Sequence, residues 1–199
     1  QNYRAIQILW AITGKYDVEG GMYINGGHFP TLKLKKVPEQ NQPIGSKEFP
    51  LFYGIVGQGQ FSEIPKAVLN DDPYPVRGLL IAAASPALTY PDKKLWHKVY
   101  EKLDFLVVNE RFMSEEIMYA DVVFPATTYY ENQIPVSSPL FGWKLRNRII
   151  QPLGEARNDV HILQALAEKM GFGEVYPKSD EDTELWMLDG NRELLEKLK

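Results

Sequence analysis

DFLVVNERFMSEEIMYADVVFPATTYYE, residues 104–131, is the stretch from which the fold of this chain is read. It opens on an apolar run, Phe105-Leu106-Val107-Val108, that breaks off at Asn109-Glu110. A second run, Val122-Val123-Phe124, breaks off at Pro125. Short runs of branched and aromatic residues without alternation read as strands buried on both faces. The segment between them is too long for a hairpin and suits a crossover, which makes a βαβ unit of a parallel sheet. Ligands of such sheets lie outside the carboxyl ends of the strands. Asn109, Glu110 and the residues after Pro125 are therefore where function is sought.

Upstream, Gly78 to Ala84 (GLLIAAA) is a further buried strand, stopping at Ser85-Pro86. A helix opens near Pro91-Asp92 and carries Leu95, Trp96, Val99 and Leu103 on one stripe. Strand 79–84, helix 92–102, strand 105–108, helix 114–119 and strand 121–124 make two successive crossovers. The right-handed crossover rule turns them into a wound, mostly parallel sheet flanked by helices, a Rossmann-like three-layer α/β domain. The loops at Ser85, Asn109 and Pro125 then fall along one edge.

Farther out, residues 3–13 predict an amphipathic helix packed on something larger and ended by Gly14. The glycine-rich 18–27 lacks both GxGxxG order and a Walker lysine, so its Gly-Gly pairs predict turns. Residues 28–50, with four prolines, predict an extended surface loop or insertion, 52–56 a short strand and 64–69 a short helix. Residues 131–145 read as irregular and 146–152 (RNRIIQP) as an edge strand. Asn158 or Asp159 caps a helix that stops at Gly171. The α/β domain is expected to span 1–178, with 179–199 an acidic and then helical tail docked by Trp186 and Leu188. The chain starts Gln-Asn-Tyr-Arg, directly in a helical pattern, and is expected to be an internal piece of something longer.

Composition removes several classes of function. A net charge of -4 gives no general field for nucleic acid or an anionic membrane surface, and the Lys33, Lys35, Lys36 cluster reads as a solvated loop. No apolar run approaches the roughly 20 residues a bilayer span needs. Zero cysteines exclude a disulfide frame, a thiolate metal site, an iron-sulfur cluster and a cysteine nucleophile within these residues. His28, His97 and His161 lack a second ligand at helical spacing and read as structural or surface groups.

The candidate chemistry is binding. A carboxylate at the end of the second strand of a βαβ unit can accept two hydrogen bonds from a ribose diol. Glu110, 25 positions beyond Ser85, is so placed, although Asn109-Glu110 reads equally as a cap for the helix expected after it. Asp159 also reads in two ways: as a helix cap, or as an acceptor for the paired N1–H and N2–H₂ donors of a guanine. Arg146, Arg148 and Arg157 add positive charge suited to a pyrophosphate or to surface pairing. Tyr129, Tyr130 and Trp143 suit stacking on a flat ring or ordinary packing. Ser114, Ser137 and Ser138 lack a nucleophile elbow, and Glu115-Glu116 and Glu181-Asp182 read as solvated charge pairs. No catalytic residue and no metal ligand emerges.

Ala120-Asp121-Val122-Val123-Phe124-Pro125-Ala126, followed by Tyr130-Glu131, resembles the ADVVLPA…E signature of molybdopterin oxidoreductases of the dimethyl-sulfoxide-reductase type. Tyr3-Arg4-Ala5 to Gly14 with Glu19-Gly20-Gly21, the Ser85-Pro86 to Pro91-Asp92 loop, and Pro152 to Asp159 with Leu166-Ala167 and Gly171 resemble further family segments in the same order. The resemblance covers residues 3–172. It implies an α/β domain that clasps the guanosine end of one molybdopterin guanine dinucleotide, in an enzyme holding molybdenum or tungsten between two such cofactors. That parent would move two electrons by oxo or sulfur transfer or by formate-type oxidation. The implied cofactor-binding positions are Ser85, Pro86, Asn109, Glu110, Glu131, Asn132 and Asp159. Glu110 stands where the family often has aspartate and Asn132 where it often has lysine. The implied partners are further domains of the same polypeptide and an iron-sulfur electron-transfer subunit. The family's iron-sulfur cysteines and metal ligand lie outside this segment, so the piece alone is expected to be inactive. The rival reading is a stand-alone nucleotide-binding or partner-docking α/β module without redox chemistry.

Overall fold

The structure is a computed structural model and describes residues 2–22, 42–138 and 142–199. In chain order the elements are α1 (Asn2–Ile12), α2 (Pro50–Val56), α3 (Ile64–Asn70), β1 (Gly78–Ala82), α4 (Pro86–Thr89), α5 (Lys93–Lys102), β2 (Phe105–Glu110), β3 (Val122–Pro125), β4 (Ile134–Ser138), β5 (Gly142–Arg146), α6 (Asp159–Lys169), α7 (Asp180–Met187) and α8 (Arg192–Leu198). Their contacts form two compact units. One comprises Gln1–Leu32, Ile134–Arg146 and Glu184–Lys199; the other comprises Lys33–Gln133 and Asn147–Thr183. Among the described residues no helix is long and apolar enough to cross a membrane.

The larger unit is built on a parallel sheet ordered β1-β2-β3, with Ala82 opposite Asn109 and Glu110 opposite Pro125. All three strands therefore end on one rim. The apolar runs supply the core: Ile81, Leu106 and Val108 pack with Val68, Trp96, Val99 and Tyr100 from α3 and α5. Each such side chain, once removed from water, contributes about 1.5–3 kcal/mol. A ring series Tyr90–Trp96–Tyr100–Tyr119, with centroids 5.5–6.1 Å apart, continues this packing. Asp121 of the ADVV motif begins β3 by clasping its neighbour. Its Oδ2 accepts the Leu106 N–H at 2.7 Å, and its own N–H donates to the Leu106 carbonyl at 2.9 Å.

The crossover from β2 to β3 is a 3-10 turn, Glu115–Tyr119, rather than the expected α-helix, because Ala120 returns to extended backbone before α-type bonds can propagate. Residues 52–56 are helical, not a strand. Pro50 enters at the first helical positions, and Gly57 closes α2 at φ 70° with its N–H on the Tyr53 carbonyl; these two ends outweigh the strand-like side chains between them.

The smaller unit corrects the reading of 131–152. Residues 134–138 and 142–146 pair as an antiparallel hairpin with Pro135 opposite Leu145, and 147–152 form no strand. Instead the Ile149 and Ile150 N–H groups both donate to the Tyr130 carbonyl within the larger unit. A two-stranded ribbon tolerates proline, since each strand has an outer edge where no N–H is needed. In the same smaller unit α1 ends at Thr13, whose hydroxyl donates to the Leu9 carbonyl, and at Gly14 with φ 65°. Among the described residues its Leu9 and Ile12 stand exposed, while Trp10 is half-buried. The Gly20-Gly21 turn is as predicted: a Cβ on Gly21 would meet the Lys15 carbonyl oxygen at 2.5 Å. Leu188 and Leu195 bury the end of the chain. The loop expected over 28–50 lies outside the described residues up to 41; from Gln42 it runs through turns to α2.

Candidate functional site

The rim of the parallel sheet gathers most of the expected positions. β1 leaves it through Ala83, at φ 53° in the left-handed region, and delivers Ser85 and Pro86 to the start of α4. β2 delivers Asn109, which is buried, and Glu110, which is half-buried. β3 ends at Pro125, and beyond it the chain segment around Arg157 runs alongside. Arg157 N–H donates to the Pro125 carbonyl at 3.0 Å, and Thr127 N–H donates to the Arg157 carbonyl at 3.1 Å. That pairing carries the start of α6, and Asp159 with it, to the strand ends.

The direct contact is between Asn109 and Asp159, 50 positions apart: Asn109 Nδ2 donates to Asp159 Oδ1 at 2.7 Å. Asn158 is the helix cap, its Oδ1 accepting from Val160 N–H at 3.0 Å. Asp159, in the first helical position, is thus free of capping duty and exposed. Negative charge there is favoured by the helix N-terminus. Asn109 Oδ1 is buried and meets no protein donor among the described residues. The pair thus joins one exposed carboxylate to one buried amide whose carbonyl is orphaned.

The remaining expected positions are engaged within the protein. Glu110 Oε1 accepts the Arg111 N–H at 2.6 Å, and no α-helix follows for it to cap. Glu131, 3% exposed, accepts from the Thr128 N–H and hydroxyl, both at 2.6 Å, and from the Leu153 N–H at 2.8 Å. Those donors, the Thr128 hydroxyl foremost, hold its carboxyl below the usual carboxylate range. Asn132 Oδ1 accepts from the Thr127 hydroxyl at 2.5 Å. Tyr129 and Tyr130, next to these residues, expose their rings and meet edge to face. Arg148 pairs with Asp180, which His161 also approaches at 3.6 Å.

Sequence reasoning missed Glu116. It is not part of a solvated pair but fully buried, accepting from Ser85, Ala87 and Tyr100. Its donors lie 16 to 31 residues upstream, so no local pattern marks it. Glu115 alone faces outward, ion-paired to Lys93 and 2.7 Å from His97 Nε2. An open groove of about 500 Å³, lined by Val123, Pro125, Arg157, Ile162 and Leu166 among others, runs beside β3 and α6. None of the seven implied cofactor-binding positions lines it, so it is an apolar trough next to the rim rather than the rim itself. Among the described residues no cluster of three His, Asp or Glu side chains could hold a metal ion.

Comparison with known proteins places this geometry in context. The family model described as molybdopterin oxidoreductase matches residues 1–169. The thiosulfate reductase molybdopterin-containing subunit PhsA of Salmonella typhimurium is 29% identical over 98% of this chain and 28% of its own length. The probable oxidoreductase YoaE of Bacillus subtilis is 30% identical over 85% of the chain and 24% of its own length. The F420-dependent formate dehydrogenase subunit alpha of Methanocaldococcus jannaschii is 35% identical over 51% of the chain and 15% of its own length. Acetylene hydratase from Pelobacter acetylenicus superposes with a TM-score of 0.68 at 20% identity, over 90% of this chain and 30% of that one, a likeness of fold. The chain spans less than a third of the length of these relatives.

Proposed function

As the chain belongs to the molybdopterin oxidoreductase family, we propose that its sheet rim holds the guanosine end of a molybdopterin guanine dinucleotide. The observation that carries this reading is the Asn109–Asp159 pair at the meeting of β2 and α6. Guanine offers N1–H and N2–H₂ side by side, and a carboxylate answers two parallel donors as it answers a guanidinium. Adenine presents no such pair on that edge. The exposed Asp159 carboxylate, held by the Asn109 amide, fits that donor set.

Glu110, at the end of β2, is placed to accept from the ribose hydroxyls with the carboxylate oxygen that Arg111 leaves free. The Ser85-Pro86 loop flanks it on the neighbouring strand. Glu131 and Asn132 act one step back: their side chains are taken up by Thr128, Leu153 and Thr127, so they hold the turn after β3 in shape. The bound group supplies the redox chemistry, and these residues bind and orient its nucleotide end.

The parent activity we propose is two-electron oxo or sulfur transfer, or formate-type oxidation, with molybdenum or tungsten held between two such dinucleotides. The names of the thiosulfate reductase and formate dehydrogenase relatives support it. The hydratase neighbour is a reminder that fold does not fix the reaction. Both of those relatives are named as subunits, which supports a multi-subunit parent with further domains and an iron-sulfur electron-transfer partner.

Titration with GMP or GDP followed by amide NMR tests the reading. Shifts are expected to cluster at 85–88, 109–112, 130–132 and 159. Shifts elsewhere, or tighter binding of adenine nucleotides, would overturn it.

A further inference from the structure

Glu116 lies in the 3-10 turn between β2 and β3 and has no exposed surface. A buried carboxylate is costly unless its lone pairs are filled, and here three groups, two from the start of α4 and one from α5, fill them. The Ser85 hydroxyl donates to both oxygens, at 3.0 and 2.9 Å. The Ala87 N–H donates to Oε1 at 3.0 Å, and the Tyr100 hydroxyl, from α5, donates to the same oxygen at 3.2 Å. Burial works to raise the Glu116 carboxyl, but its own N–H, the Ala87 N–H and the Ser85 hydroxyl outweigh it and keep the group ionised. Burial, and then the Glu116 charge, pushes the Tyr100 phenol above its ordinary value, which keeps it a donor.

These bonds tie the loop that leaves β1 to the loop that leaves β2. The β1 loop is not relaxed by itself, for Ala83 occupies the left-handed region that side chains disfavour. Ser85 commits its hydroxyl proton to Glu116, so toward a ligand the residue offers its main chain and an acceptor oxygen. We propose that Glu116 is a positioning residue: a buried carboxylate that fixes the Ser85–Ala87 loop against the β2 exit, so that the two loops meet one ligand together. The inference rests on the guanosine reading for the identity of that ligand.

The test is Glu116→Gln, which keeps shape and one acceptor but turns an N–H₂ toward the Ser85 and Ala87 donors. Two readouts on the folded protein are compared: hydrogen exchange of the Ala87 amide, and GMP titration by NMR. Exchange at Ala87 should rise at least about tenfold, the worth of one charge-assisted bond. GMP affinity should fall by about tenfold, with the ligand-induced shifts lost at 85–88 and kept at Asn109 and Asp159. A merely structural glutamate would weaken all three regions together, in step with the folded fraction. Ser85→Ala is the milder second variant; it removes one donor, leaves the carboxylate in place and should move both readouts the same way by a few fold. Unchanged GMP binding and unchanged 85–88 shifts in both variants would overturn the inference while leaving the guanosine reading intact. A wild-type protein that binds no guanine nucleotide, with Ala87 still responding to Glu116→Gln, would overturn the guanosine reading and with it the ligand role given to this bracket.

Discussion

Asp159→Asn separates recognition from stability at the rim. The amide keeps the size of the carboxylate and an oxygen able to accept from Asn109 Nδ2, now 2.7 Å from Asp159 Oδ1. Asp159 is exposed and leaves capping to Asn158. The fold should therefore lose less than about 1 kcal/mol, a shift in Tm of roughly 2–4 °C for a chain of this size. Toward guanine the change is larger. One of two acceptor oxygens becomes an N–H₂ facing a donor, so one charge-assisted bond, worth about 1.5–3 kcal/mol, is lost and the other is weakened to a neutral one. A total of about 2–4 kcal/mol corresponds to roughly 30- to 700-fold weaker binding. Calorimetric titration with GMP and IMP checks the geometry as well as the size. IMP lacks the 2-amino group, so the wild type should prefer GMP by about tenfold or more, and Asp159→Asn should abolish that preference. Equal GMP affinity and an undiminished GMP-to-IMP ratio in the variant would refute the assignment of Asp159 to the base.

Two further expectations concern the scaffold. Asp121→Ala strips the partner from the N–H of Leu106, a residue 1% exposed, and should cost about 1–3 kcal/mol in chemical denaturation with an unchanged m-value; a loss under about 0.5 kcal/mol, the size of an ordinary surface substitution, would deny the clasp. Glu116 and Glu131 both have folded carboxyl values below the ordinary 4.5, so the stability they contribute is complete above that value and is lost as pH falls through the lowered values. Denaturation midpoints followed by circular dichroism should therefore fall steeply only in that acid range, and a midpoint that is flat on descending well below pH 4.5, or that falls with rising pH near neutrality, would contradict the bonding described for both groups.

The parallel sheet was legible from its apolar runs, although only β2 is buried on both faces, over Leu106 to Asn109, while Leu80 of β1 and Val123 of β3 stand exposed. The helix over 159–169 was equally plain, since Asn158 and Gly171 mark its ends. The misread places share a physical cause. Residues 52–56 carry strand-like side chains, yet their conformation is set from outside the window by Pro50 and Gly57. The hairpin over 134–146 was hidden by Pro135, which an isolated ribbon accepts on an outer edge. Glu116 was opaque because its environment is made by Ser85, Ala87 and Tyr100, far upstream. Of the proposed site, the place of Asn109 and Glu110 at the end of β2 followed from the sheet alone. That Asp159 would be handed to Asn109 depended on Arg157 lying beside Pro125 and Thr127, a pairing with no local signal.

The bond from Asn109 to Asp159 also joins positions 50 residues apart in the chain. Closing a loop of that length costs on the order of 3–4 kcal/mol of chain entropy, and the intervening chain departs at Ile134 to build a hairpin in the other unit before it returns at Asn147. β1, β2 and β3 are consecutive and need no such detour. The sheet is thus assembled from consecutive strands, while the Asn109–Asp159 contact carries the larger closure cost.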